Sequence, residues 1–221
     1  MTAKSDASIE KARAALLDAA IENAAFDGFT PKAIEEAARQ LKIAPETAAL
    51  AFPGGPKDLL RAWSEKLDDE TRAELEAAGL SALKIRARVT KGARLRIEKM
   101  AAHKIAARRA AAFLALPFNA PLGAELQFRT ADAIWRGIGD ASTDFNYYSK
   151  RLLLSGVIAA TLLYWFADES EDAADTWAFL DRRIENVMGI EKAKAGIRDF
   201  AAKLPDPFRI LGSLRYPSKG K

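Results

Sequence analysis

Apolar residues return every three or four positions along almost the whole chain, interrupted by glycine and proline. That is the helix period; alanine is abundant and β-branched runs are few, so the pattern predicts an all-α protein. In residues 8–27, Ile9, Leu16, Leu17, Ala20, Ile21 and Ala24 share one face, and Gly28 follows as a C-cap. Thr30-Pro31 pairs an N-cap with a proline at the first helical position and opens a short second helix, and Pro45 opens a third, PETAALAF. Leu59, Leu60, Trp63, Leu67 and Leu75 define an amphipathic fourth helix over 58–78, acidic on its outer face and ended by Gly79. One long helical pattern then runs over 82–116. Pro117 and Pro121 bracket a break, and Asn119 caps a helix over 121–136.

Residues 140–166, DASTDFNYYSKRLLLSGVIAATLLYWF, form the element around which the others are expected to pack. Ser142 or Thr143 supplies an N-cap, with Asp144 adding negative charge at the helix start. Over 152–166 every residue is apolar or small, which predicts a helix covered on all sides. The run is shorter than the roughly 18–20 residues of a bilayer span, and Lys150, Arg151, Asp168 and Glu169 close its ends, so a buried core helix is expected. Ser155, Gly156, Ala159 and Ala160 cut a strip of missing side chains along it. Either a partner helix or an elongated apolar ligand fills such a strip. Trp177, Phe179, Leu180, Ile184 and Val187 mark a further helix over 171–188 that packs beside it.

Composition bounds the chemistry. With 221 residues and 49% hydrophobic content the chain can bury a sizeable core, and the absence of cysteine excludes disulfides and thiolate chemistry. The first ten residues, MTAKSDASIE, carry neither an apolar h-region nor an arginine-rich leader. The expected location is therefore cytoplasmic. The net charge of +4 is unevenly spread: residues 84–109 alone carry +9, from Lys84 to Arg109 with Glu98 the one acid. That cluster suits a solvated face paired with the acidic fourth helix, anionic lipid headgroups or an acidic protein partner. His103 is expected on the surface. No Glu-x-x-His pair, glycine-rich phosphate loop or Gly-x-Ser-x-Gly elbow occurs, so neither a metal, a cofactor nor an enzymatic mechanism is expected.

The one long and two short helices of the first 60 residues, with FPGGPKDLL after the third, resemble the helix-turn-helix of TetR regulators. The third helix would be the recognition helix, yet residues 45–52 hold no Arg, Lys, Asn, Gln or Tyr, and Glu46 is the single charge. Such a helix has no donors for base edges or phosphates, which argues against nucleic acid as a partner.

A closer resemblance lies further on. Leu116-Pro117-Phe118-Asn119-Ala120-Pro121, then Trp135, then Gly139-Asp140 with Ser142-Thr143-Asp144-Phe145-Asn146, and later Thr176-Trp177-x-Phe179-Leu180-x-x-Arg183, are similar to the ubiquinone-biosynthesis accessory family known as coenzyme Q protein nine. The resemblance runs from about residue 8 to about residue 200. It implies a TetR-like helical bundle with a degenerate N-terminal helix-turn-helix, usually dimeric and turned to lipid binding. It further implies a non-enzymatic protein that binds isoprenoid quinone precursors or phospholipid and presents the precursor to a membrane-bound demethoxyubiquinone hydroxylase. By motif, Asp144, Asn146, Tyr147 and Tyr148 fall on the patch that meets the hydroxylase, with Tyr-Tyr where many members have Trp-Tyr. The alternative is a TetR-like regulator responding to a ligand in the same cavity.

A polyprenyl tail is excluded from water and needs a dry slot. The expected slot is the small-residue strip at Gly156, Ala159 and Ala160, walled by Leu153, Leu154, Val157, Ile158, Leu162 and Trp165, with Trp135 facing it. The last two large helices of TetR-like proteins form a four-helix dimer interface, which predicts a homodimer. Three regions are expected: 1–56, helix-turn-helix-like; 57–189, lipid-binding and dimerising; and 190–221, an amphipathic tail. In that tail Ile190, Ile197, Phe200, Leu204 and Phe208 are spaced for one face, and a net charge of +5 suits an anionic membrane surface. The location then becomes peripheral to a bacterial inner membrane, or the mitochondrial matrix for a eukaryotic source.

Overall fold

A computed structural model describes residues 2–142 and 145–187, with backbone alone for residues 2–6, 145 and 146. Its helices are α1 (Thr2–Asp27), α2 (Pro31–Gln40), α3 (Pro45–Ala51), α4 (Pro56–Ala77), α5 (Ile85–Glu98), α6 (Lys104–Leu114), α7 (Ala120–Gly137) and α8 (Phe145–Ala167). A ninth, α9, covers 174–187. The predicted proline starts and glycine stops act as read, whereas Thr30 and Asn119 stand at N-cap positions without a capping side-chain hydrogen bond, Asn119 donating instead to the Phe113 carbonyl at 3.0 Å. Gly28 takes φ 70° to end α1, Pro31 and Pro45 sit in the first turns of α2 and α3, and Gly79 takes φ 58° behind α4.

The apolar faces close around two connected cores. The first joins α1, α2, α3, α4 and α6 with the end of α5 and the start of α7 through Leu16, Ile21, Phe29, Leu59, Trp63, Ile97 and Leu126, and Trp165 of α8 reaches into it. The second joins the end of α4 to α5, α7, α8 and α9 through Leu75, Val89, Ile134, Leu154, Ile158 and Leu180. Leu162 and Trp177 touch both. The helices approach most closely where side chains are missing. A Cβ on Gly137 of α7 would stand 3.2 Å from the Arg72 backbone and 3.1 Å from Leu75 Cβ, and one on Gly92 of α5 would stand 2.6 Å from Ile134 Cγ2.

Three expectations change. The pattern over 82–116 is not one helix: a 3-10 turn at Ala101–His103 separates α5 from α6. On a straight helix Ala106 would lie about 180° from Ile97, yet both are fully buried in the first core, and the turn brings them to one side. His103 is half-buried, not superficial, with its ring edge-on to Trp63 at 6.5 Å. Finally, α8 is covered on one side only. Arg151, Leu154, Val157, Ile158, Thr161 and Trp165 are buried, whereas Leu152, Gly156, Leu163 and Tyr164 are exposed. Tyr147–Ala167 is long and apolar enough to cross a membrane, as core helices can also be. Its inward face instead packs on α7, with a fully buried arginine at its start.

Gly137→Val is expected to lower folding stability by about 1–3 kcal/mol, since the added carbons meet backbone that cannot retreat. A urea titration would show this as a lower midpoint with an unchanged slope.

Candidate functional site

Recesses open on both flanks of α8. On the inner flank, Trp63, Met100, Leu126, Ile158, Leu162 and Phe166 enclose a cavity of about 90 Å³. Its floor is polar. Arg96 donates from Nε to Asp68 Oδ1 at 2.6 Å and from Nη2 to Ser64 Oγ at 3.4 Å, and Thr130 Oγ1 donates to the same carboxylate at 2.9 Å. All four side chains are buried. Burial pushes the Asp68 carboxyl above its usual range, opposed by Arg96, Thr130 and Ser64.

On the other flank, α5, α7, α8 and α9 frame an apolar groove of about 320 Å³. Val89, Trp135, Leu153, Leu154, Val157 and Ile184 form its walls, with Arg86 and Lys150 at the rim. Arg86 is tied to Glu185 at 3.4 Å. The Trp135 indole N–H donates to the Lys150 carbonyl at 3.3 Å while the Lys150 ammonium lies 5.1 Å over the ring, so the indole is held as a wall.

The residues expected to hold a lipid are thus divided. Trp135, Leu153, Leu154 and Val157 line the groove, and Ile158 and Leu162 line the inner cavity. Trp165 is core, 4% exposed, under the Lys104 ammonium at 5.0 Å. The small-residue strip lies elsewhere. Nothing stands within 4 Å of where a Gly156 Cβ would be, Ala159 and Ala160 are half-exposed, and Ala160 borders a shallow recess with Leu163, Tyr164 and Phe179. Ser155 alone turns inward, donating to the carbonyls of Arg151 at 2.8 Å and Gln127 at 3.1 Å.

At the start of α8 an ionic cluster orients the two tyrosines. Arg151, 1% exposed, donates from Nε to Asp132 Oδ1 at 2.6 Å and from Nη1 to Asp140 Oδ2 at 3.3 Å and the Tyr147 carbonyl at 3.1 Å. Its guanidinium lies 3.5 Å over the Tyr147 ring, and the Tyr147 hydroxyl donates to Asp132 at 3.1 Å. Lys150 and Ser142 both donate to Asp140, at 2.8 and 2.6 Å. Burial acts to raise the carboxyls of Asp132 and Asp140, but hydrogen bonds from Arg151, Arg136, Lys150 and Ser142 outweigh it and hold both below the usual range. Tyr147 is therefore an anchored, half-buried ring, and Tyr148, 59% exposed, stands edge-on to it at 5.0 Å. Together with Arg136, Asp140 and Arg151 they border an open recess of about 520 Å³. Asp144 and the Asn146 side chain lie outside the described residues, as do Ile190, Ile197, Phe200, Leu204 and Phe208.

The Thr176-Trp177-x-Phe179 motif builds the entry to α9. The Asp168 carboxylate accepts from the backbone and hydroxyl of both Ser170 and Thr176, and these bonds hold it far below the usual carboxylate range. Trp177 donates to the Asp172 carbonyl at 2.8 Å and carries the Arg94 guanidinium 4.7 Å over its ring. Among the described residues no group of three His, Asp or Glu is placed to hold a metal ion.

The periodicity of the chain could not reveal the Arg151 pairs or the Asp68–Arg96 pair. Asp132 and Asp140 stand 19 and 11 residues before Arg151, and Asp68 stands 28 before Arg96, each pair on different elements, so no single helix face connects them. The only signal was a charge directly abutting a wholly apolar run.

Residues 120–191 match the COQ9 family. Over 181 residues the chain is 30% identical to the ubiquinone biosynthesis protein COQ9, mitochondrial, of Rattus norvegicus, covering 79% of this chain and 58% of that protein. The same-named proteins of Homo sapiens and Drosophila melanogaster are 29% and 28% identical over 79% and 84% of this chain, and 57% and 58% of theirs. The chain thus spans less than three-fifths of the length of these relatives. A solved TetR transcriptional regulator from Nitrosomonas europaea is similar with a TM-score of 0.63, covering 79% of this chain and 97% of that one at 21% identity. The fold is TetR-like. The Arg151 cluster, the Asp168 turn and the α7 and α8 walls of the groove all lie inside the family-matched segment, whereas Asp68 and Arg96 precede it.

Arg151→Met should cost about 3 kcal/mol, because it leaves Asp132 and Asp140 without their shared cation. Carboxyls held low in the native state stabilise it fully above the unfolded value near pH 4 and cease to do so as pH falls through the native value. Urea midpoints measured from pH 2 to 7 should therefore rise steeply through the acid range in the natural chain and more gently in the variant.

Proposed function

We propose, from the match of residues 120–191 to the COQ9 family, that the chain is a non-catalytic accessory protein of ubiquinone biosynthesis that carries a quinone precursor by its isoprenoid tail. The observation that carries this reading is the apolar groove between α5, α7, α8 and α9. Its hydrocarbon and indole walls suit a polyprenyl tail or a phospholipid acyl chain, each buried CH₂ of which contributes about 0.8 kcal/mol. The inner cavity, floored by Ser64, Arg96 and Thr130, is smaller and polar at one end, and suits an oxygenated group rather than a tail.

Presentation to a membrane-bound demethoxyubiquinone hydroxylase belongs to the same proposal. Tyr148 offers an exposed amphipathic ring on a fixed base, the kind of rigid anchor that protein interfaces favour. The open face of α8 is assigned to a second copy of the chain. Leu152, Gly156, Leu163 and Tyr164 are exposed on it, and Tyr164 stacks on Phe179 of α9 at 4.7 Å, giving a two-helix surface whose small residues admit a close partner helix. Residues 190–221 would add a basic, amphipathic hold on an anionic membrane. The relatives are named as mitochondrial proteins, which supports a mitochondrial location for a eukaryotic source; the matrix face there, and the inner membrane for a bacterial source, belong to the proposal. A transcriptional regulator has no comparable support, since α3 carries Glu46 and an exposed Leu50 where DNA would need cations.

Native mass spectrometry with organic extraction tests the cargo: the expected result is a quinone or phospholipid that is lost in Leu153→Trp, which fills the groove. A chain that is empty and stays empty after incubation with quinone-loaded vesicles defeats the carrier reading. In the same spectra Leu163→Arg is expected to convert a dimer mass to a monomer mass; an unchanged mass would remove α8 from the interface.

A further inference from the structure

The outer face of α6 is an amphipathic surface that neither the cores nor the recesses use. The buried face of this helix is Ala106, Ala107 and Ala110, packed toward α1. On the opposite side Ile105, the adjacent Arg108 and Arg109, and Ala112 lie within three or four residues of one another along the helix, all exposed, with Ile105 at 63%. Leu116 continues the stripe, and the turn that follows, closed by Asn119 N–H to the Leu116 carbonyl at 2.8 Å, leaves Phe118 70% exposed. At the other edge Arg109 donates to the Ala25 carbonyl at 3.0 Å, which sets Phe26, 83% exposed, beside the same face. Four large apolar side chains on one exposed region are costly in water unless something receives them.

Charge identifies what receives them. No acidic residue occurs between Glu98 and Glu125, a stretch that holds Lys99, Lys104, Arg108 and Arg109. Among the described residues, none of the ion pairs involves Arg108 or Arg109. Asp27 is engaged by Lys32 at 2.7 Å, Glu22 lies one turn before Phe26, and Lys104 donates to the Asp168 carbonyl at 3.1 Å. A helix that lies flat in a membrane interface needs apolar side chains long enough to enter the acyl boundary and arginines at its flanks for phosphate. We propose that the outer face of α6, with Phe118 and Phe26, is a docking surface for an anionic lipid bilayer, built into the folded body and separate from residues 190–221. It does not rest on the quinone reading. The surface would hold the bundle at a fixed angle to the membrane, with α6 parallel to it.

The chain has no cysteine, so single cysteines carrying an environment-sensitive dye can be placed at will. Phe118→Cys and Ile105→Cys in the full-length protein should show blue-shifted dye emission with phosphatidylglycerol-containing vesicles and none with pure phosphatidylcholine, while Glu46→Cys on α3 shows no shift with either. The charge reversal Arg108→Glu with Arg109→Glu, folding checked by circular dichroism, should weaken vesicle co-sedimentation by about tenfold or more. Sedimentation with vesicles without a shift at 118 and 105 would mean that another surface binds and would overturn the proposal. Equal shifts on neutral vesicles would overturn its charge argument, and a dye at 118 already buried without vesicles would mean that protein covers this face. Binding of an acidic protein with no response to vesicles would assign the surface to that class of partner instead.

Discussion

The ion pairs of Arg151 decide how α8 lies, and most of the molecule's surfaces follow from that. A guanidinium almost wholly removed from water is tolerable only if its donors are used, and Asp132, Asp140 and the Tyr147 carbonyl use them. Both carboxylates come from α7 or the turn behind it, so the pairing sets the rotation of α8 about its own axis as well as its position on α7. With that rotation, Leu154, Val157 and Ile158 point inward, and Leu152, Gly156 and Leu163 point out.

One constraint therefore produces three surfaces with different chemistry. The inward edge of α8 walls two recesses, one against α5 and α9 and one against α4, α6 and α7. The outward edge is an open apolar stripe suited to another helix. The first turn, where Arg151 stacks under Tyr147, presents Tyr148 from a base that cannot swing. A lipid carrier that must bind cargo, pair with itself and meet an enzyme needs these three functions kept apart, and their separation around one helix is a structural basis for the proposed role.

The break between α5 and α6 matters for the same reason. Had residues 82–116 formed one straight helix, Ile97 and Ala106 would face opposite sides and one of them would leave the first core. The 3-10 turn keeps both inside and lets α6 bury Ala106, Ala107 and Ala110, with Phe113 and Leu114 packed on the same core. Close approach through alanines leaves the longer residues of α6, Ile105, Arg108 and Arg109, on the outside, which makes that face available to a membrane.

The all-α class, the proline starts of α2 and α3, the glycine stops, the missing cations of α3 and the family motifs at Leu116–Asn119 and Thr176–Arg183 were all legible in the chain, because each depends on neighbours within a few residues. Periodicity also identified the core residues of α4, and Leu180 and Ile184 of α9, but it grouped Phe179 with them although that ring stacks on Tyr164 at the outer surface. It could not say which side of an all-apolar helix is inward, since residues 152–166 offer no polar face to break the symmetry. The small-residue strip and its expected walls consequently fell on three different surfaces. That choice was made by pairs such as Arg151–Asp132 and Arg96–Asp68, whose partners lie 19 and 28 residues apart. Their energy exists only once α7 has folded against α8 and α4 against α5, so tertiary structure alone decided it.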